Sequence, residues 1–362
     1  MSSRFAITLV ITVAMALPVV AVALPYLRGP TPKPARPPLK PSAGVERRFT
    51  AEGLEILVAR PLLDPSVTQS RPTAPILLLH GAVGTAMVWN RWLPYLASKG
   101  RTVYAVSLSG MSVSLTIVSG ELITCLGLLT GHGESPRPHN FACMGLKCLS
   151  RDIQAALDYI SFNDPSPVEP VLVAHSWGGG LAQYAIANSN PDDEPLVSGL
   201  VLLGSVPPFG MRCVLAAWMR LDPWFFPRFL LDMGDLRSPL STPLLVRRAF
   251  FGPHTPQSNV QGFFDLHMNH EESVSWMRDM MLRYVEPQNV KAKIPGGRVL
   301  CLGGDRDALV TPDIAKDTAG EYGVDIVSIR GAGELSFMFF FFGLICFTRP
   351  SYAERRLMER GG

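Results

Sequence analysis

No histidine follows His270 in this chain of 362 residues, although seven stand at or before it. Charge is scarce too. Asp, Glu, Lys and Arg make up 17% of the residues and the net charge is +3, with Arg28, Lys33, Arg36 and Lys40 clustered in an N-terminal linker. Without a Lys/Arg stripe in the body, a nucleic-acid partner is not expected. The six cysteines (Cys125, Cys143, Cys148, Cys213, Cys301 and Cys346) have neither metal-like nor disulfide-framework spacing. They read as buried free thiols, although Cys143 and Cys148 could meet on a helix face. His267-x-x-His270 lacks a glutamate of the HExxH kind and further ligands nearby, so no metal is expected. There is no internal repeat and no Asn-x-Ser/Thr acceptor site. Apolar residues are abundant instead, at 47%, which suffices for one large α/β domain plus a subsidiary element.

The run Phe5–Leu24 carries no charge, and twenty residues are just enough to span a bilayer as a helix. It reads as a single N-terminal membrane anchor. Ala21-Val22-Ala23 offers a small-x-small cleavage site, which gives a secreted alternative. Residues 25–44, with PTPKPARPPLKP at their centre, form a proline-rich spacer between this run and the body.

The body is organised around Val171-Leu172-Val173-Ala174-His175-Ser176-Trp177-Gly178-Gly179-Gly180, followed by the helical pattern Leu181–Ile186. An apolar run that passes through a tight turn into a helix is a buried strand, a sharp corner and a helix. A serine at such a corner needs small neighbours, because the helix must start very close to the strand. Ala174 and Gly178 supply them. Upstream, the buried run Ile76–Leu79 leads into His80-Gly81-Ala82-Val83-Gly84. Downstream, Arg298–Gly303 leads into Gly304-Asp305-Arg306-Asp307-Ala308-Leu309-Val310-Thr311-Pro312. Strands are also expected over Arg48–Arg60, Thr102–Leu108, Leu196–Ser205 and Val324–Arg330, and helices over Trp89–Lys99 and Met144–Phe162. Between about 206 and 287 the pattern turns helical, aromatic and methionine-rich.

These motifs resemble the α/β-hydrolase superfamily of serine esterases and lipases. A-H-S-W-G-G stands for the usual G-H-S-x-G-G, H-G-x-x-G for the oxyanion turn, and the 304–312 stretch for the turn that carries the acid. The resemblance covers about residues 45–333 and implies an α/β fold: a mainly parallel sheet flanked by helices, with a helical cap at about 206–287. It implies Ser176 as nucleophile and Asp307 as acid, with Asp305 as runner-up. The oxyanion-holding amides would be those of Trp177 and Ala82, with Val83 an alternative to the latter. His80, at a strand end, reads as a shaper of its turn rather than as the base. The implied reaction is hydrolysis of a carboxylic ester or lipid-like acyl substrate, small and hydrophobic, with no cofactor.

Two stretches depart from the family. Residues 111–130 separate Ser109-Gly110 from Gly131-His132-Gly133-Glu134-Ser135, two halves of one expected turn. The last strand leads into Gly331-Ala332-Gly333, where the family presents its histidine, and the next residue is Glu334. The tail 334–362 opens on the apolar LSFMFFFFGLIC. One hypothesis covers both stretches: each is a retained intron, because Gly-Met-Ser and Gly-Glu-Leu can be encoded across GGTATGAGT and GGTGAGTTG. A mature transcript that keeps these codons under all conditions would remove it. Two alternatives to the esterase reading stand: a non-catalytic fold member that binds a hydrophobic ligand or partner, and a cofactor-free haloperoxidase or acyltransferase with the same triad.

Overall fold

A computed structural model describes residues 39–61, 73–108, 135, 144–190, 195–231, 238–252, 255–267 and 274–333. The expected N-terminal anchor, most of its linker, the 111–130 stretch, His254, His270 and the 334–362 tail lie outside the described residues. Among the described residues, no helix is long and apolar enough to cross a membrane.

The chain opens with β1 (Val45–Phe49) and β2 (Glu55–Ala59), an antiparallel pair. Sequence patterning suggested one strand over Arg48–Arg60. The structure divides it at a turn in which Gly53 adopts φ +84° and its N–H reaches the Thr50 carbonyl. The pattern breaks there: apolar residues fall on Phe49 and Ala51 before Gly53 but on Leu54, Ile56 and Val58 after it, and β2 is buried along its whole length. Next come β3 (Ile76–Leu79), a 3-10 turn at Ala86–Trp89, α1 (Trp92–Ala97) and β4 (Val103–Val106). The helix expected over Trp89–Lys99 is therefore shorter, because Trp89 belongs to a turn capped by the Thr85 hydroxyl, which accepts the Met87 N–H.

Then follow α2 (Leu146–Asn163), β5 (Val171–His175), α3 (Ser176–Ala187) and β6 (Gly199–Leu203). Among the described residues six helices come between β6 and the next strand, the first five being α4 (Arg212–Leu221), α5 (Phe225–Leu231), α6 (Pro243–Phe250), α7 (Gln257–His267) and α8 (Val274–Asp279). The chain continues through α9 (Pro287–Ala292), β7 (Val299–Gly304), α10 (Pro312–Glu321) and β8 (Ile326–Ile329).

The eight strands form one sheet in the order β1-β2-β4-β3-β5-β6-β7-β8, parallel from β4 onward. β3 pairs in parallel on both edges, and its four residues Ile-Leu-Leu-Leu are all buried. That is why it reads as an unbroken apolar run. The carboxyl ends of β3, β5 and β7 carry the turns singled out in the sequence, so parallel pairing brings three distant motifs to one edge of the sheet. On one face, Leu300 of β7 and Val327 of β8 remain exposed.

The flanks of the 111–130 stretch meet. The Ser135 hydroxyl donates to the Ser107 carbonyl (2.6 Å) and accepts the Glu55 N–H (2.8 Å). The chain returns at Ser135 to the strand end that it leaves at Leu108. Around this closure the Ser107 hydroxyl donates to Glu55 Oε2 (2.7 Å) and accepts the Ala86 N–H (2.9 Å). Arg47 Nε lies 2.8 Å from Glu55 Oε1 and balances this fully buried carboxylate.

Candidate active site

Ser176 stands where β5 passes directly into α3, with φ +52°. A left-handed serine is uncommon, and holding it there costs on the order of 1–3 kcal/mol. The neighbouring packing explains how it is held. A Cβ on Gly178 would stand 2.1 Å from the His80 carbonyl oxygen, and one on Gly179 would stand 2.2 Å from Ser205 Oγ. Gly81 faces the serine itself, since its Cβ would lie 3.0 Å from Ser176 Cβ. Glycine lets the β3 turn and the head of α3 touch.

The second non-glycine residue in the left-handed region is Val83, at φ +54° in the β3 turn. Ala82, Val83, Ser176 and Trp177 all line one cavity. No hydrogen bond among the described residues engages the Ala82 N–H. The Trp177 N–H, at the head of α3, has no acceptor within its own helix. Both amides are thus available beside the serine. The floor of the cavity comes from the strand ends, with Val206 and Leu309. Its roof comes from α4, α6, α7 and α8, through Trp218, Phe250, Phe263 and Trp276 among others. Among the described residues, no Asp, Glu, Lys or Arg lines it. These helices between β6 and β7 are called the cap below.

His80 is fully buried and both ring nitrogens are engaged. Nε2 accepts the Leu108 N–H (3.1 Å), and Nδ1 donates to the Gly81 carbonyl (2.8 Å). A carbonyl only accepts, so the proton sits on Nδ1 and the ring is neutral. Burial pulls this imidazole down to about 4, against the favourable Gly81 bond and with help from nearby His175. The ring thus ties the β3 turn to the end of β4.

Asp307 follows β7 and is buried. Its Oδ1 accepts the N–H groups of Leu309 and Val310, both at 2.9 Å, and Leu309 lines the cavity. Its Oδ2 is buried and has no hydrogen-bond partner among the described residues. Burial pushes the carboxyl up to about 7, although the two N–H bonds favour the anion. Asp305 differs: it is exposed, and its Oδ1 accepts the Gly331 N–H (2.6 Å). With the Arg306 N–H donating to the Ala332 carbonyl (3.0 Å), this bond docks the turn after β8 onto the turn that carries Asp307. A Cβ on Gly304 would lie 2.2 Å from that same carbonyl oxygen. Residue 334 is two positions beyond Ala332 in the chain.

Two positioning residues were not found by sequence reasoning. The Val206 N–H donates to the Ser176 carbonyl (3.0 Å), and the Val206 carbonyl accepts Gln183 Nε2 (2.9 Å). Gln183 Oε1 accepts the hydroxyl of buried Tyr322 (2.9 Å). One amide therefore ties the serine's helix to the ends of β6 and α10. The signal was a lone glutamine within the apolar run Leu181–Ile186. Among the described residues no cluster of His, Cys, Asp and Glu has metal-binding proximity. Cys301 is buried and its thiol pushed up to about 12 by burial, while Cys148 and Cys213 are half-buried.

Comparison with curated proteins finds no match. Among solved structures, carboxylesterase CesB from Bacillus subtilis is 14% identical (TM-score 0.52), with 95% of this chain and 96% of that one covered. A structure from work on carboxylesterases of the thaumarchaeon Nitrososphaera gargenis is 13% identical (TM-score 0.52; 83% and 97% covered). A bromoperoxidase from Bacillus anthracis is also 13% identical (TM-score 0.52; 83% and 99% covered). At such identities the likeness is one of fold. The family model described as "Alpha/beta hydrolase family" matches residues 76–340, the stretch that holds the serine corner, both flanking turns and the cap, and the chain belongs to that family.

Proposed function

We propose that this chain is built as a serine hydrolase of uncharged carboxylic esters with an apolar acyl or alkyl part. The observation that carries the reading is Ser176 held at positive φ in an apolar cavity, with the Ala82 and Trp177 amides beside it. In this reading Ser176 Oγ attacks the ester carbonyl, and the two N–H groups hold the oxyanion. Asp307 Oδ2 accepts the N–H of the base and stabilises its cation. The base belongs at the position after Gly333, where this chain has Glu334. A carboxylate has neither the ring geometry nor the pKa of imidazole, so Ser176 keeps its proton and stays a weak nucleophile. The uncharged cavity disfavours charged substrates, which would lose hydration without gaining a partner. The run Phe5–Leu24 would hold the catalytic body at a membrane.

The unpartnered Asp307 Oδ2, together with the missing histidine, favours a second reading for the chain as written: a family member that binds a hydrophobic ligand without turning it over. A fluorophosphonate probe separates the two. Rapid labelling that disappears in Ser176→Ala supports the hydrolase. Labelling no faster than that of denatured protein supports the binding protein.

A further inference from the structure

The cap has an outer surface that the reaction does not use. In α5, Phe226 and Leu230 lie one turn apart on the same exposed side, and Trp224 just before the helix is 67% exposed. Met219 near the end of α4 and Leu244 at the start of α6 are also exposed, at 43% and 59%. The 3-10 turn Ser238–Leu240 packs against both α5 and α6, and α4 touches the same two helices, so the three helices are one packed group. Soluble surfaces rarely gather this many large apolar side chains in one place.

The exposed charges on the same helices have one sign. Residues 212–231 and 238–252 contain five arginines (Arg212, Arg220, Arg228, Arg247 and Arg248) and one acid, Asp222. Asp222 is buried and bonded to Arg228. Arg220 is exposed beside Met219, and exposed Arg248 is one helical turn from Leu244. We propose that this face, built on Met219, Trp224, Phe226, Leu230 and Leu244 with Arg220 and Arg248, seats on the surface of an anionic lipid bilayer. Aromatic rings with arginines around them suit the headgroup level, where one end is apolar and the other is wet. A second copy of the face would bring cations against cations, so charge complementarity selects the bilayer.

The surface is one side chain away from the cavity. Phe225, between exposed Trp224 and Phe226, is buried with its ring 4.5 Å from that of Trp218, and Trp218 lines the cavity above Ser176. If the ester-hydrolase reading holds, on which only this consequence rests, an apolar substrate passes from lipid to the serine without crossing water.

The test uses the full chain and vesicles of equal parts phosphatidylcholine and phosphatidylglycerol with brominated acyl chains. Bromine quenches only nearby tryptophans. Of the six in the chain, Trp89, Trp177 and Trp276 are buried and Trp92 and Trp218 half-buried. The readout is therefore local to the cap, whatever the N-terminal run does. Fluorescence should be quenched, most of the quenching should vanish in Trp224→Phe, and the double variant Arg220→Gln/Arg248→Gln should weaken it. Equal quenching in wild type and Trp224→Phe overturns the proposal, as does none at all. Quenching untouched by the arginine changes removes the anionic surface. A blue shift that grows with protein concentration in the absence of vesicles assigns the face to a second copy. None of these results depends on Ser176, so failure of the hydrolase reading shows separately, in the probe labelling.

Discussion

Two turns at the same edge of the sheet are built to different degrees of completion. At the β5 turn, Ser176 is clasped from every side: glycines meet the β3 turn, Val206 binds its carbonyl, and Gln183 anchors its helix. At the β7 turn, Asp307 has one oxygen bonded twice and the other buried with no partner among the described residues. The first turn draws its fit from packed backbone. In the proposed hydrolase reading, the second waits on a side chain from beyond β8. A buried carboxylate oxygen without a donor is expensive. The difference teaches that the Ser176 corner is complete in itself, whereas the Asp307 turn leaves one carboxylate oxygen buried without a donor among the described residues.

The largest expected effect comes from completing the second turn. Glu334→His places an imidazole one residue after Gly333, on a turn already bonded to the Asp307 loop. Adding a positioned general base is worth about 10²–10⁴-fold. Hydrolysis of p-nitrophenyl butyrate should rise by that order and return to baseline in Glu334→His/Ser176→Ala. A rise that survives the loss of Ser176 would assign it to the new histidine alone.

The next effect is on stability against pH. Asp307 has its folded pKa raised to about 7, so its stabilising share is complete below about 4 and is lost as the pH rises through about 7. The penalty above that is roughly 4 kcal/mol. His80 has its folded pKa lowered to about 4. Its share is present above about 6.5 and is lost as the pH falls through about 4, a change of roughly 3 kcal/mol. Between about 4 and 6.5 the two oppose each other, and stability stays nearly flat. Asp307→Asn imitates the protonated acid and removes one side of the balance. Its stability in urea should fall by roughly 3 kcal/mol on acidification across that window. Parallel curves for the variant and the wild type would sink the assignment of Asp307 as an uncompensated buried acid.

Much of the first turn is legible in the sequence, because its requirements are local. Apolar β5, the serine and three glycines fall within ten residues, and Ile76–Leu79 announces the buried strand beside them. The parallel order and the placement of Ser176, Ala82 and Trp177 on one cavity follow from such segments. What escapes is paired over distance. Tyr322 reaches Gln183 across 139 positions, and nothing near either residue marks the other. The separation of Asp305 from Asp307 also needs the turn after β8, since only that turn shows which carboxylate is spent on it. The β1–β2 hairpin was missed although its mark is local: the apolar phase shifts by one position at Gly53, between Ala51 and Leu54.

The two halves should also answer differently to the same small change. A methyl group at Gly178 would lie 2.1 Å from a backbone carbonyl oxygen, which cannot swing aside as a side chain can. Gly178→Ala should cost about 3 kcal/mol in chemical denaturation and displace the β3 turn from Ser176. Gly320, in α10 between β7 and β8, has nothing within 4 Å of the place its Cβ would take. There alanine gains helix propensity without meeting anything, and its less flexible backbone loses less entropy on folding. Gly320→Ala should therefore stabilise the chain by about 0.5–1 kcal/mol, seen as a shift of the urea midpoint with no change in slope. The opposite signs test whether tight backbone approach belongs to the serine's corner and not to glycine positions generally. If Gly178→Ala is as harmless as Gly320→Ala, the clasp around Ser176 is looser than the packing indicates, and the left-handed serine must be held by its hydrogen bonds instead.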